Sequence, residues 1–220
     1  MIQNYATSNE MKLNFKKCKF MHFNPTLNYD FIPEYEVEGN SFETVEEMRL
    51  LGLTIRNDLK WQANTEDIIK RAYKKLWMIK RLKAHGACLE DLKDVFIKQI
   101  RSILEFGVPV WNSSLTKEDS LDIERVQKVS LHLALGSRYL NNETALEKCN
   151  LATLESRRTK LCSTFAQKIA KHPKHKHWFV PNLDVPETRS CKTEYKLPLA
   201  RLGRYSNSPI PHLTRLLKNP

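Results

Sequence analysis

Residues 64–86, Asn-Thr-Glu-Asp-Ile-Ile-Lys-Arg-Ala-Tyr-Lys-Lys-Leu-Trp-Met-Ile-Lys-Arg-Leu-Lys-Ala-His-Gly, decide the fold class. Ile68, Ile69, Ala72, Leu76, Ile79 and Leu82 recur with the period of a helix and make one apolar stripe. Asn64 or Thr65 is the expected cap and Gly86 the expected stop. Moving toward the C-terminus, Leu92, Phe96, Gln99 with Ile100, Ile103 and Leu104 predict a second helix that ends around Gly107–Pro109. Thr116 with Asp119 has the spacing of a capping box for a third, carried by Ile123, Val126, Val129 and Leu133 and closed by Gly136. A short fourth is expected over 142–150, and a fifth over 154–171 with Leu161, Phe165 and Ile169 inward.

Toward the N-terminus the period shortens. Residues 11–23 predict a strand or hairpin arm broken at Asn24-Pro25, and residues 29–38 alternate more clearly before a turn at Gly39-Asn40. Met48 to Ile55 reads as one nearly continuous apolar strand with Gly52 inside it, a sign of close backbone approach. Beyond Pro173 come six more prolines, which predict an extended tail anchored by Trp178 and Phe179. The expected class is α+β, mainly α: a small antiparallel β element, a helical bundle and an extended basic tail. The expected divisions are 1–61, 62–171 and 172–220.

Composition narrows the function. The 220 residues carry 36 Lys plus Arg against 25 Asp plus Glu, a formal charge of +11. Residues 155–220 hold 14 basic and 4 acidic residues, and residues 1–154 hold 22 and 21, so the last expected helix and the tail together supply +10 of the total. Such an arm suits a polyanionic partner, nucleic acid above all; the plainer alternative is that the charge only solubilises the tail. Five scattered Cys, an odd number, fit reduced intracellular thiols rather than a disulfide framework. The longest run without Asp, Glu, Lys or Arg is 11 residues, Phe106 to Thr116, where a membrane span needs about 20. No secretory signal is visible at Met1, so the expected compartment is intracellular, nuclear or cytoplasmic.

Catalytic motifs are missing: the sequence has no GxGxxG, P-loop, HExxH, GxSxG or CxxC, and no Asp-Asp pair. His172, His175 and His177 lie near Cys162 and Cys191, but the cysteines stand singly and Lys171, Lys174 and Lys176 repel a cation. A solvated basic turn is the simpler reading, and no metal is assigned. Two helical faces are basic. One carries Lys70, Arg71, Lys74, Lys75 and Arg81, with Trp77, taken by itself as core, close by; the other carries Arg157, Arg158, Lys160 and Lys168. Either face can bind phosphates or remain a plain solvated surface.

Several segments, in order, resemble one family. Asn9-x-Met11-x-Leu13-Asn14-x-x-Lys17-Cys18-x-x-Met21-x-Phe23 resembles the end of the palm in reverse transcriptases of non-LTR (LINE-type) retrotransposons. Arg49-Leu-Leu-Gly-Leu-Thr-Ile55, followed by Asp58-Leu-Lys-Trp61, resembles the family's primer grip and the start of its thumb. Ser102-Ile-Leu-Glu-Phe-Gly-Val-Pro-Val-Trp111 resembles its thumb signature, and Glu124-Arg-Val-Gln127 leading to Leu135-Gly136 resembles the next helix. Leu151-Ala-Thr-Leu-Glu-Ser-Arg-Arg158 and Ser208-Pro-Ile-Pro211 resemble the terminal region. The resemblance covers nearly the whole chain but not the family's Tyr-x-Asp-Asp motif, fingers and most of the palm.

It implies a fragment of an RNA-directed DNA polymerase in which Lys17 occupies an auxiliary, proton-donating position, and Leu51 and Gly52 approach a primer end. The thumb helices would follow an RNA or RNA–DNA template–primer duplex. Magnesium would belong to the parent enzyme and no cofactor to this chain, because polymerisation needs the absent carboxylates. The expected partners are therefore nucleic acid and the missing palm and fingers, with no membrane. The rival expectation is a non-functional remnant or a helical protein-interaction module, since Leu50, Leu51, Leu53 and Ile55 would be left exposed without a palm.

Overall fold

The computed structural model describes residues 2–23, 36–37, 39–182 and 195–218. The protein is α+β and mainly α, and divides into two compact units, Met1–Ala63 and Asn64–Pro220.

The first unit opens on a helix, α1 (Ile2–Ser8), followed by a 3-10 turn over Phe15–Lys17. Six short strands follow among the described residues: β1 (Lys19–Phe20), β2 (Glu36–Val37), β3 (Asn40–Ser41), β4 (Glu43–Thr44), β5 (Glu47–Leu50) and β6 (Leu53–Arg56). They form three two-stranded pairs. β1 and β4 run parallel, with Lys19 opposite Glu43 and an ion pair between those two side chains. β2 and β3 form a tight antiparallel hairpin whose Gly39 has φ +72°. The expected arm over 11–23 thus shrinks to β1, and most of the alternating stretch 29–38 lies outside the described residues.

β5 and β6 correct the reading of 48–55 as a single strand. They are antiparallel, with Leu50 opposite Leu53, so Leu51-Gly52 is a two-residue turn. Both residues have positive φ, +48° and +87°, the signature of a turn whose twist matches the strands it joins. Glycine adopts this freely, whereas Leu51 is strained there and stands 88% exposed. Leu50 is also exposed, but Leu53 and Ile55 are half-buried, so only part of the expected apolar patch is open.

The second unit is helical. α2 (Gln62–Ala84) begins before the expected caps, and Asn64 and Thr65 sit buried in its first turns. Its end is as expected: Gly86 has φ +81°, its N–H donates to the Lys83 carbonyl and that of Ala87 to the Leu82 carbonyl, a Schellman closure. α3 (Leu89–Val95), a π-helical stretch Phe96–Arg101 and α4 (Ser102–Leu104) then form one continuous run. The sequence explains the π stretch. Leu92, Phe96, Ile100 and Leu104 are all buried at strict four-residue spacing, which an α-helix would rotate by about 40° at each step. A wider turn keeps them on one face.

Gly107, with φ +66°, turns the chain into α5 (Val108–Trp111), and Pro109 occupies the first turn, where no N–H is needed. α6 (Lys117–Leu135) starts on the complete Thr116–Asp119 capping box. α7 (Asn142–Cys149) is capped by Asn141, and α8 (Leu154–Lys171) by Thr153. α9 (Gly203–Ser206) and α10 (Pro209–Lys218) follow. α10 overturns the expectation of a wholly extended tail: it packs on α8 and α5, with Leu213 and Thr214 buried. Pro209 and Pro211 do not oppose it, because both sit in its first turn. Phe179 is buried as an anchor, but Trp178 is 38% exposed. The core of this unit gathers Ile68, Ile79, Phe96, Ile100, Trp111 and Ile123, with Leu154 and Phe179 also fully buried.

Candidate nucleic-acid interface

α2 buries Ile68, Ala72, Leu76 and Ile79 along one side. At 100° per residue the opposite side carries Lys70, Tyr73, Lys74, Trp77, Lys80 and Arg81, and all six are exposed. Lys70, Lys74, Lys80 and Arg81 pair with no carboxylate among the described residues. The two aromatics are 41% and 60% exposed, which corrects the reading of Trp77 as core. The cause is angular: Trp77 lies almost opposite the Ile68–Ile79 line, so burying it would put that line in solvent. Two further sequence candidates sit on the flanks of this face. Arg71 is half-buried in an ion pair with Asp67 at 3.1 Å, and Lys75 is half-buried. Periodicity could have found Tyr73 and Lys80, since both lie within about 60° of Trp77, on its other side from the cations already chosen.

The α8 candidates separate sharply. Lys160 is exposed on the side away from the core. Arg157 donates from Nε to Glu105 Oε1 and from NH2 to Glu105 Oε2, the latter at 2.9 Å; this partner raises the guanidinium pKa above its ordinary value. Arg158 is a correction: it is 1% exposed and belongs to the inner stripe with Leu154, Cys162 and Ala166. Its Nε donates to Asn112 Oδ1 at 3.1 Å, its NH2 to Ser120 Oγ at 2.7 Å, and its NH1 lies 3.9 Å from Glu124 Oε1. Burial pulls its pKa down and the Glu124 carboxylate opposes that shift. A cation committed in this way cannot meet a phosphate.

Glu124 does more than face Arg158. Its carboxylate accepts the N–H groups of Leu154 (3.3 Å) and Glu155 (2.6 Å), filling the orphan donors at the start of α8. Gln127 donates to the Ala152 carbonyl at 3.0 Å, and the Trp111 indole to the Phe106 carbonyl at 2.9 Å. The segments 102–111, 124–127 and 151–158 therefore meet in one polar knot that ties α4, α5, α6 and α8 together.

Lys17 is exposed at the end of its 3-10 turn, and Leu51 and Gly52 form the β5–β6 turn. Among the described residues no three His, Cys, Asp or Glu side chains group to hold a metal. His172 and His175 instead stack with ring centroids 4.9 Å apart, and His175 packs at 4.9 Å on Trp178; Cys191 lies outside the described residues. Cys162 is buried, its thiol pushed up to about 11 by desolvation. The small apolar cavity lined by Ile79, Leu92, Phe96, Leu131 and Cys149, about 10 Å³, has room for no ligand larger than water. No described helix is long and apolar enough to cross a membrane.

Fold and face together define a mainly helical α+β chain with a solvent-facing basic and aromatic helix. No protein-family model, no curated protein and no solved structure matches it.

Proposed function

We propose that the chain is the C-terminal part, palm edge, thumb and tail, of a non-LTR retrotransposon reverse transcriptase, and that alone it is a non-catalytic binder of RNA or RNA–DNA template–primer duplex. The outer face of α2 carries this reading. Lys70, Lys74, Lys80 and Arg81 recur along it over about 16 Å of helix, free of carboxylate partners among the described residues. That arrangement suits a phosphate backbone, and the basic tail adds to the attraction. The family half of the reading is supported by the polar knot, in which segments that resemble the family's signatures have one another as partners. With no Asp-Asp pair in the sequence, the reading assigns no polymerising step and no magnesium ligand to these residues.

Fluorescence anisotropy with a labelled RNA–DNA duplex, titrated across salt, tests it. Log affinity should fall with log salt by about 0.9 per phosphate contacted. The double variant Lys70→Gln, Lys74→Gln should make the slope shallower by about 1.8 if each lysine meets one phosphate. Absence of duplex binding at low salt would refute the reading. One observation favours the rival, protein-interaction reading: Leu50 and Leu51 stand exposed together at the β5–β6 turn. Self-association abolished by Leu51→Asn, without duplex binding, would support it.

A further inference from the structure

We infer that the outer face of α2 is a stacking platform for unpaired nucleotides, with Trp77 as its principal ring and Tyr73 as its second. The inference rests on the nucleic-acid reading and names the ligand form this face selects. Two large aromatics on successive turns of one helix are left open to solvent, although the same helix buries four apolar side chains on its other side. Cations flank the rings, Lys70 and Lys74 toward one end and Lys80 and Arg81 toward the other, with exposed Glu66 a turn before Lys70. Protein-docking cores also favour Tyr and Trp but are depleted in lysine, whereas three of the four cations on this face are lysines; alternating cations and flat rings match a strand that offers phosphates and bases by turns.

Base pairing decides the class of ligand. Inside a duplex both faces of each base are already stacked, so an indole beside it gains only phosphate proximity. An unpaired base has a free π-face, and every base has one, so recognition is independent of sequence. Tyr73 and Trp77 are separated by about 6 Å along the helix axis, and the face from Lys70 to Arg81 spans about 16 Å. That length accommodates on the order of three to five nucleotides, with phosphates reaching the flanking cations.

The test uses the full chain and two labelled probes at fixed low salt: a 12-nucleotide oligo-uridine and a 12-base-pair RNA–DNA duplex. Trp77→Ala should weaken oligo-uridine binding about tenfold, leave duplex affinity within about twofold, and leave the salt slope unchanged. Trp77→Phe should restore most of the loss, and Tyr73→Ala should cause a smaller one. An abasic strand of equal length keeps the phosphates but lacks the rings, so wild-type protein should bind it about as weakly as Trp77→Ala binds oligo-uridine. Equal wild-type affinity for abasic and intact strands overturns the platform, as does a Trp77→Ala loss shared equally by strand and duplex. Either result leaves the nucleic-acid reading standing. Failure to bind any probe removes both. Self-association that Trp77→Ala abolishes, with oligo-uridine binding unchanged, assigns the face to a protein contact and also overturns the proposal.

Discussion

Replacing Arg158 with alanine should unfold the helical unit at markedly lower temperature, although arginine is ordinarily a surface residue. The magnitude follows from its contacts. Truncation breaks two hydrogen bonds from a charged donor, to Asn112 at 3.1 Å and Ser120 at 2.7 Å, worth about 1.5 kcal/mol each. It also removes a buried aliphatic stem, worth roughly 1–2 kcal/mol. Glu124 is not stranded, because the Leu154 and Glu155 N–H groups still hold its carboxylate. The total, about 4–5 kcal/mol, sits inside the roughly 3–5 kcal/mol typical of breaking a buried ion pair. For a unit of this size it corresponds to a fall in Tm of about 8–20 °C. Arg158→Lys keeps the charge but cannot reach Asn112 and Ser120 together, and should lose about half as much. Lys160→Ala, two residues along on the exposed side, should stay within about 0.5 kcal/mol of wild type. Urea and thermal unfolding followed by circular dichroism at 222 nm measure all three. An Arg158→Ala protein that melts within a degree or two of wild type but loses nucleic-acid affinity would refute the argument and return Arg158 to the surface.

Gly136 closes α6 with φ +59°, and a Cβ there would come within 2.5 Å of the Lys83 ammonium that caps the Leu133 carbonyl at 2.7 Å; Gly136→Ala should cost about 1–3 kcal/mol in urea unfolding. Thiol accessibility should split by burial: a maleimide at pH 7.5, mapped by mass spectrometry, should label exposed Cys88 in the native protein but reach Cys149 and Cys162 only on unfolding. Labelling of Cys162 at the rate of Cys88 would contradict the packing of α8. Burial, reinforced by Arg215, lowers the His212 pKa from its ordinary 6.5, so the unfolded chain takes up the proton first. The His212 contribution should be fully present above pH 6.5 and be lost as pH falls through the lowered value. His212→Gln should flatten that part of the Tm–pH curve, and parallel curves for the two proteins would sink the assignment.

Much of the helical unit is legible in the chain. α8 spans the expected 154–171, the Thr116–Asp119 box opens α6, and Gly86 and Gly136 stop their helices, all through interactions within a few residues of one another. Local rules failed where a residue's usual preference was taken for its position. Trp77 reads as core because it is apolar, yet its angle on α2 places it outside. Arg158 reads as surface because it is charged, although its four-residue spacing from Leu154 and Cys162 puts it in the buried stripe; that spacing was the available signal. Pro209 and Pro211 read as breakers, while the first turn of α10 has no use for their missing N–H groups. Leu51-Gly52 reads as the middle of a strand because nothing local separates an apolar strand from two short ones joined by a tight turn.

The sequence by itself determined where most helices begin and end, and how much positive charge the chain carries, because capping, periodicity and composition are local or additive. Which cations remain available to a partner was decided only by tertiary structure. Arg157 and Arg158 are consumed by Glu105, Asn112, Ser120 and Glu124, which arrive from 34 to 52 residues away along the chain, whereas Lys70, Lys74, Lys80 and Arg81 meet no such acceptor among the described residues. A charge is free or spent according to what the fold brings within about 4 Å of it, and no window of sequence contains that information.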